Sequence, residues 1–198
     1  NELRNMIKTL CNQNTSLMTR MSEQNQTIKD MVPKIGNQIN TTHPLYPEST
    51  DGRGVAYERI GEWNKAEKDF LASLKADPDQ AYVINYLAYS WIEKGIKVQK
   101  SLRMLEKANK LRSNDPYITD SLGWALFKLE RYEEAKDYLQ LAVKLLPADP
   151  IVNDHFGDVL WKNGKVIQAR YYWNYVLQLE ETEDKLKQII QEKLIKGL

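Results

Sequence analysis

The 198-residue chain has one cysteine, two histidines and a formal charge of only +1. A lone thiol, Cys11, allows no internal disulfide and no cysteine-based zinc site, so it reads as a bystander. His43 and His155 stand far apart, and HExxH, Walker, GxSxG and paired-Cys motifs are all missing. Catalysis therefore has no foothold, and the chain is expected to be no enzyme and to use no cofactor or metal. His155, beside Asp154 and Asp158, reads as part of a polar helix face, because no second imidazole or thiolate lies nearby. With Lys+Arg 28 against Asp+Glu 27 there is no basic stripe to track phosphates, so nucleic acid is not an expected partner. No window approaches the 18 or so apolar residues of a membrane span, so none is expected.

Apolar material is nevertheless ample: hydrophobic residues make up 42% of the chain and charged residues 28%, enough for a packed core. Residues 1–32 carry a heptad pattern, with Leu3, Leu10, Leu17, Gln24 and Met31 at d and Ile7, Asn14, Met21 and Ile28 at a. A coiled-coil helix is expected there, and an Asn at a favours a parallel dimer, so a homodimer through residues 1–32 follows. Sparse charge at e and g makes the coil weak alone; a solvated single helix is the alternative. Pro33, Pro44 and Pro47 then mark a linker over residues 33–48.

Beyond it the sequence repeats itself. Gly54, Ala88, Gly123 and Gly157 recur at intervals of 34, 35 and 34, and Ala66, Ser101, Ala135 and Ala169 at 35, 34 and 34. Phe70, Leu105, Leu139 and Trp173 keep the second rhythm, as do Ser73, Ala108, Ala142 and Val176. Small residues recurring in register set how closely helices approach. Each unit reads as two antiparallel helices: a small residue in the first admits the second, and one in the second receives the large residue opposite. The Phe70 column is expected to fill the space between units. Asp77–Pro78, Asp115–Pro116 and Asp149–Pro150 punctuate the units, since proline at a first helical position needs no N–H.

This pattern resembles the tetratricopeptide repeat family, with Leu122, Gly123, Leu126, Ala135, Ala142 and Pro147 at its marker positions. The resemblance implies an all-α helix-turn-helix solenoid with four repeats at 49–78, 79–114, 115–148 and 149–180, closed by an amphipathic capping helix at 181–198. Leu186, Ile189, Ile190 and Leu194 would form the buried side of that cap. Repeat 2 carries one extra residue in "GIKVQKS". Repeat 1 is the least typical, with Thr50 and Arg53 where apolar residues are usual, and is expected to fray. "INYLAYSWIEKG" and "YITDSLGWALFKLERYEEA" are more narrowly similar to C-terminal repeats of proteobacterial adaptor proteins, which implies a bacterial cytoplasmic or periplasmic and envelope setting.

In this family the first helix of each repeat lines a groove. Carried over by position, the groove residues are Tyr82, Asn85, Tyr89, Ile92 and Glu93 in repeat 2. Repeat 3 supplies Tyr117, Asp120, Trp124, Phe127 and Lys128, and repeat 4 supplies Ile151, Asp154, Asp158, Trp161 and Lys162. Glu48, Asp51, Val55, Glu58 and Arg59 would extend it in repeat 1. An acidic line (Asp51, Asn85, Asp120, Asp154) would then run beside an aromatic strip, which suits a protein or peptide segment with basic and apolar side chains. The competing account keeps these groups for packing and hydrogen bonds between repeats. A non-catalytic binding adaptor is thus the expected function. Its rival is a structural scaffold whose contacts lie outside the groove.

Overall fold

A computed structural model of the protein describes residues 46–198; the expected coil and the linker up to residue 45 lie outside the described residues. The described residues form helices and no strand. In order these are α1 (Tyr46–Arg59), α2 (Trp63–Ala76), α3 (Ala81–Glu93), α4 (Val98–Leu111), α5 (Pro116–Lys128), α6 (Tyr132–Leu145), α7 (Pro150–Lys162), α8 (Val166–Val176) and α9 (Asp184–Lys196). They fall into two compact units, one ending at Pro78 and the other spanning Asp79–Leu198.

The first unit contains the hairpin of α1 and α2. Helix α1 starts at Tyr46, inside the expected linker, and is a continuous 14-residue helix, not a frayed end. The two residues that looked out of place explain why. Thr50 is buried, and Arg53 folds onto Asp69 of α2 with Nε and Nη2 donating to the two carboxylate oxygens at 2.6 and 2.8 Å. A two-pronged guanidinium–carboxylate pair joins the helices where an apolar contact would usually do so. At Gly54 a Cβ would meet Phe70 Cε1 at 2.8 Å.

The second unit stacks three hairpins, α3–α4, α5–α6 and α7–α8, with each second helix also against the next first helix, and α9 against α8. Its core runs through the small-residue columns: Ala88, Ala135, Ala142 and Ala169 have no exposed surface, nor have Leu105, Leu139 and Trp173. The large residues of this column also pack inside their own hairpins. Leu139 Cγ lies 2.7 Å from where a Cβ on Gly123 would stand, and Trp173 Cδ1 2.5 Å from one on Gly157. Leu139 and Trp173 therefore lie on the glycine of their own hairpin. Glycine's helix penalty of about 1 kcal/mol is accepted for that approach.

Helix boundaries follow local chemistry. Asp115 and Asp149 cap α5 and α7, each side chain accepting from the second and third backbone N–H groups, with proline at the first position. Asp77–Pro78 acts differently: Asp77 closes α2, and α3 begins only at Ala81. The turn inside each hairpin has a left-handed residue at the same register, namely Gly61, Gly95, Glu130 and Gly164. Glu130 holds φ +61 without glycine's freedom. The extra residue of repeat 2 falls just after this turn, where Lys97 adopts φ 53 at the start of α4.

Candidate functional site

The first helices α3, α5 and α7 lie side by side, which brings the expected groove residues of repeats 2 to 4 together. Their environments divide sharply. Asp120 is only 5% exposed and accepts from His155 Nδ1 at 2.9 Å. A carboxylate only accepts, so the imidazole carries its proton on Nδ1. Asp154 and Asp158 are also buried, and both accept from Lys193 of α9, at 2.6 and 2.7 Å. Asp158 takes a further bond from Trp173 Nε1 at 3.0 Å. Three carboxylates thus share one lysine and one imidazole inside the stack.

Electrostatics follow from that count. Burial, then the charge of Asp154, raise the Asp158 carboxyl to about 6; Lys193 and His155 offset this only in part. Burial disfavours the His155 imidazolium, but Asp120, Asp154 and Asp158 outweigh it and hold its pKa above the ordinary value. Burial, then Glu93 and Asp120, push the half-buried Tyr89 phenol well above its usual range.

The aromatic strip is likewise partly internal. Trp124 is buried with its ring 3.9 Å from His155 and 4.7 Å from Phe127, both nearly parallel, and its Nε1 donates to Glu93 at 2.7 Å. Lys128 holds its ammonium 4.6 Å from the Trp124 ring centre. Trp161 packs on Trp173 and is approached so closely by Gly197 that any side chain there would collide with it. Arg170 donates to the Leu194 carbonyl at 2.7 Å, and Lys162 reaches the Leu198 carbonyl at 3.5 Å. Helix α9 and Gly197 therefore lie over Asp154, Asp158 and Trp161, whereas Ile151 of the same repeat stays exposed.

The exposed aromatics among the expected groove residues are in repeats 2 and 3. Tyr82 and Tyr117 are 51% and 56% exposed. Tyr82 is also fixed: its hydroxyl donates to Asp115 at 2.9 Å and accepts from Arg112 at 3.2 Å, with that guanidinium over the ring. Asn85, one turn along α3, occupies the acid-line position, but its Oδ1 is buried with no hydrogen-bond partner. Sequence reasoning placed these residues on one face and missed Lys193, whose position on a charged helix face gave no sign of a partner 39 residues away.

A tetratricopeptide repeat family model matches residues 47–182, and the chain belongs to that family, whose stacked hairpins serve protein interaction as adaptors or scaffolds and are generally non-catalytic. A TPR repeat-containing protein of Pseudomonas aeruginosa is 30% identical over 116 residues, 57% of this chain and 20% of its own length. The chain thus spans about a fifth of that relative. Among solved structures, a thermophilic TPR protein of Thermus thermophilus superposes with a TM-score of 0.68 at 13% identity, covering 92% of this chain and 94% of its own. MamA of Desulfovibrio magneticus RS-1 gives 0.59 at 22% identity, covering 70% and 77%. At such identities the likeness is one of fold. Among the described residues no helix is long and apolar enough to cross a membrane.

Proposed function

We propose that the protein is a non-catalytic adaptor that holds a peptide segment of a partner against α3 and α5, with Tyr82 and Tyr117 as anchors. The observation that carries this is the pair of half-exposed tyrosines, Tyr82 and Tyr117, at one register on neighbouring first helices. A pinned aromatic such as Tyr82 loses little entropy on binding. Asp120, Asp154 and Asp158 already accept from His155 and Lys193, so a basic partner would be read less by the acidic floor than by the two tyrosines. A homodimer through residues 1–32 would present two such sites and raise avidity without new contacts.

The test is titration calorimetry of the full chain against basic–aromatic peptides, comparing wild type with the Tyr82→Ala/Tyr117→Ala double variant. Loss of an anchor should cost about 2 kcal/mol, or roughly thirtyfold in affinity. Unchanged binding would favour the rival, a scaffold that contacts partners elsewhere.

A further inference from the structure

A second surface lies on the opposite helices of the hairpins. Between α6 and α8, with α7 beneath, is a cavity of about 630 Å³. Its floor is apolar, formed by Phe156 and Leu160, with the Tyr172 ring packed edge-on to Phe156. Its rim carries Ile167 and Tyr171, which are 86% and 67% exposed, one helical turn apart on α8. A volume of this size takes two or three side chains. Isolated exposed apolar residues need no explanation, but a pair flanking an apolar cavity does.

The charged residues that line it have one sign. The lining includes Lys136 and Lys165 and no carboxylate. From Val159 to Leu179 the chain has no Asp or Glu, although the whole is nearly neutral at +1. Lys136 shares Glu133 one turn away, which leaves Lys165 as the stronger attractor. By contrast, the buried acids on the first helices are already paired.

We infer that this cavity is a docking site for an acidic amphipathic helix of a partner protein. Two apolar side chains spaced by one turn enter over Phe156 and Leu160, and flanking carboxylates meet Lys165 and Lys136. A helix laid in an apolar groove in this way is a common mode of peptide recognition, and opposite charge sets its register and partner choice. This site is independent of the Tyr82–Tyr117 face.

The test uses the full chain and two labelled helical peptides, both with leucines at i and i+4, one flanked by glutamates and the other by lysines. Fluorescence anisotropy should show the glutamate peptide binding at least tenfold tighter. Lys136→Glu/Lys165→Glu should invert that preference, and Ile167→Asp should weaken the glutamate peptide at least tenfold. Tyr82→Ala/Tyr117→Ala should leave it unchanged, which separates this site from the other face. The substituted groups are on the surface, and circular dichroism verifies that each variant is folded. Equal affinity for the two peptides, or a preference that survives the double charge reversal, overturns the inference. So does a wild-type dimer in sedimentation equilibrium that Ile167→Asp dissociates, because the face would then belong to a second copy.

Discussion

Lys193 lies 2.6 Å from Asp154, and His155 lies 2.9 Å from Asp120. The two acids are one repeat apart, so α9 offers to α7 what α7 offers to α5: a side-chain N–H donor for the acid at the same register. The closing helix continues the chemistry of the stack as well as shielding its end. Because Lys193 is largely withdrawn from water, replacing it leaves two buried carboxylates without their counter-ion.

Lys193→Met should therefore destabilise the protein by about 3–5 kcal/mol, the usual cost of breaking a buried pair from one side. Urea denaturation measures it. Lys187→Met, which removes an exposed lysine paired with Asp184, should change stability by less than about 1 kcal/mol.

Stability should fall as pH rises. Asp158 titrates at about 6 in the folded state against 3.8 ordinarily, so the folded form binds the extra proton and loses stability between about pH 4 and 6. His155, with its pKa raised, contributes stability that is complete below its ordinary value of 6.5 and is lost as pH climbs through the folded value. Thermal midpoints from pH 4 to 8 should decline on both accounts. Asp158→Asn should flatten the lower part of that decline, and His155→Gln the upper part.

Gly157→Ala forces a methyl against Trp173, whose Cδ1 and Nε1 stand 2.5 Å from the new carbon. Overpacking of that kind costs about 1–3 kcal/mol, more than the helix propensity that alanine restores. Gly52→Ala, within α1, meets nothing within 4 Å and should gain about 0.5–1 kcal/mol. Opposite shifts in melting temperature from one chemical change distinguish the packing role from propensity.

Glu130→Gly should stabilise the protein by about 1 kcal/mol, since Glu130 occupies a left-handed turn position that Gly61, Gly95 and Gly164 fill in the other hairpins. Differential scanning calorimetry would show a raised midpoint; a lowered one would mean that the Glu130 side chain contributes more than its backbone costs.

Much of the fold could be read from the sequence because close helix packing is a local demand with a fixed period. Gly123, Ala135 and Leu139 recur in register whatever the partner outside. The helix starts at Asp115 and Asp149 were readable from their Asp-Pro pairs, although the same pair at Asp77–Pro78 follows the end of α2 and starts no helix. Arg53 was harder: an arginine at an apolar position looks like a defect until Asp69, 16 residues on, is brought to it. His155 and Lys193 were harder still. Both sit on helix faces that read as solvated, and only tertiary stacking buries them against acids 35 and 39 residues away. For the same reason Asp154, Asp158 and Trp161 looked available to a ligand, whereas α9 lies across them. Ile189, expected on the buried side of α9, is 43% exposed, while Ile190 is fully enclosed.

The joint between an acid and a side-chain N–H works like a plug and socket. Helix α7 carries both halves, with His155 facing one neighbour and Asp154 the other, whereas α9 supplies only the plug. A copy of residues 149–182, one full period of 34, spliced in ahead of Glu183 would thus find a matching connector at each of its ends, so the array can be lengthened at this point without redesigning either junction.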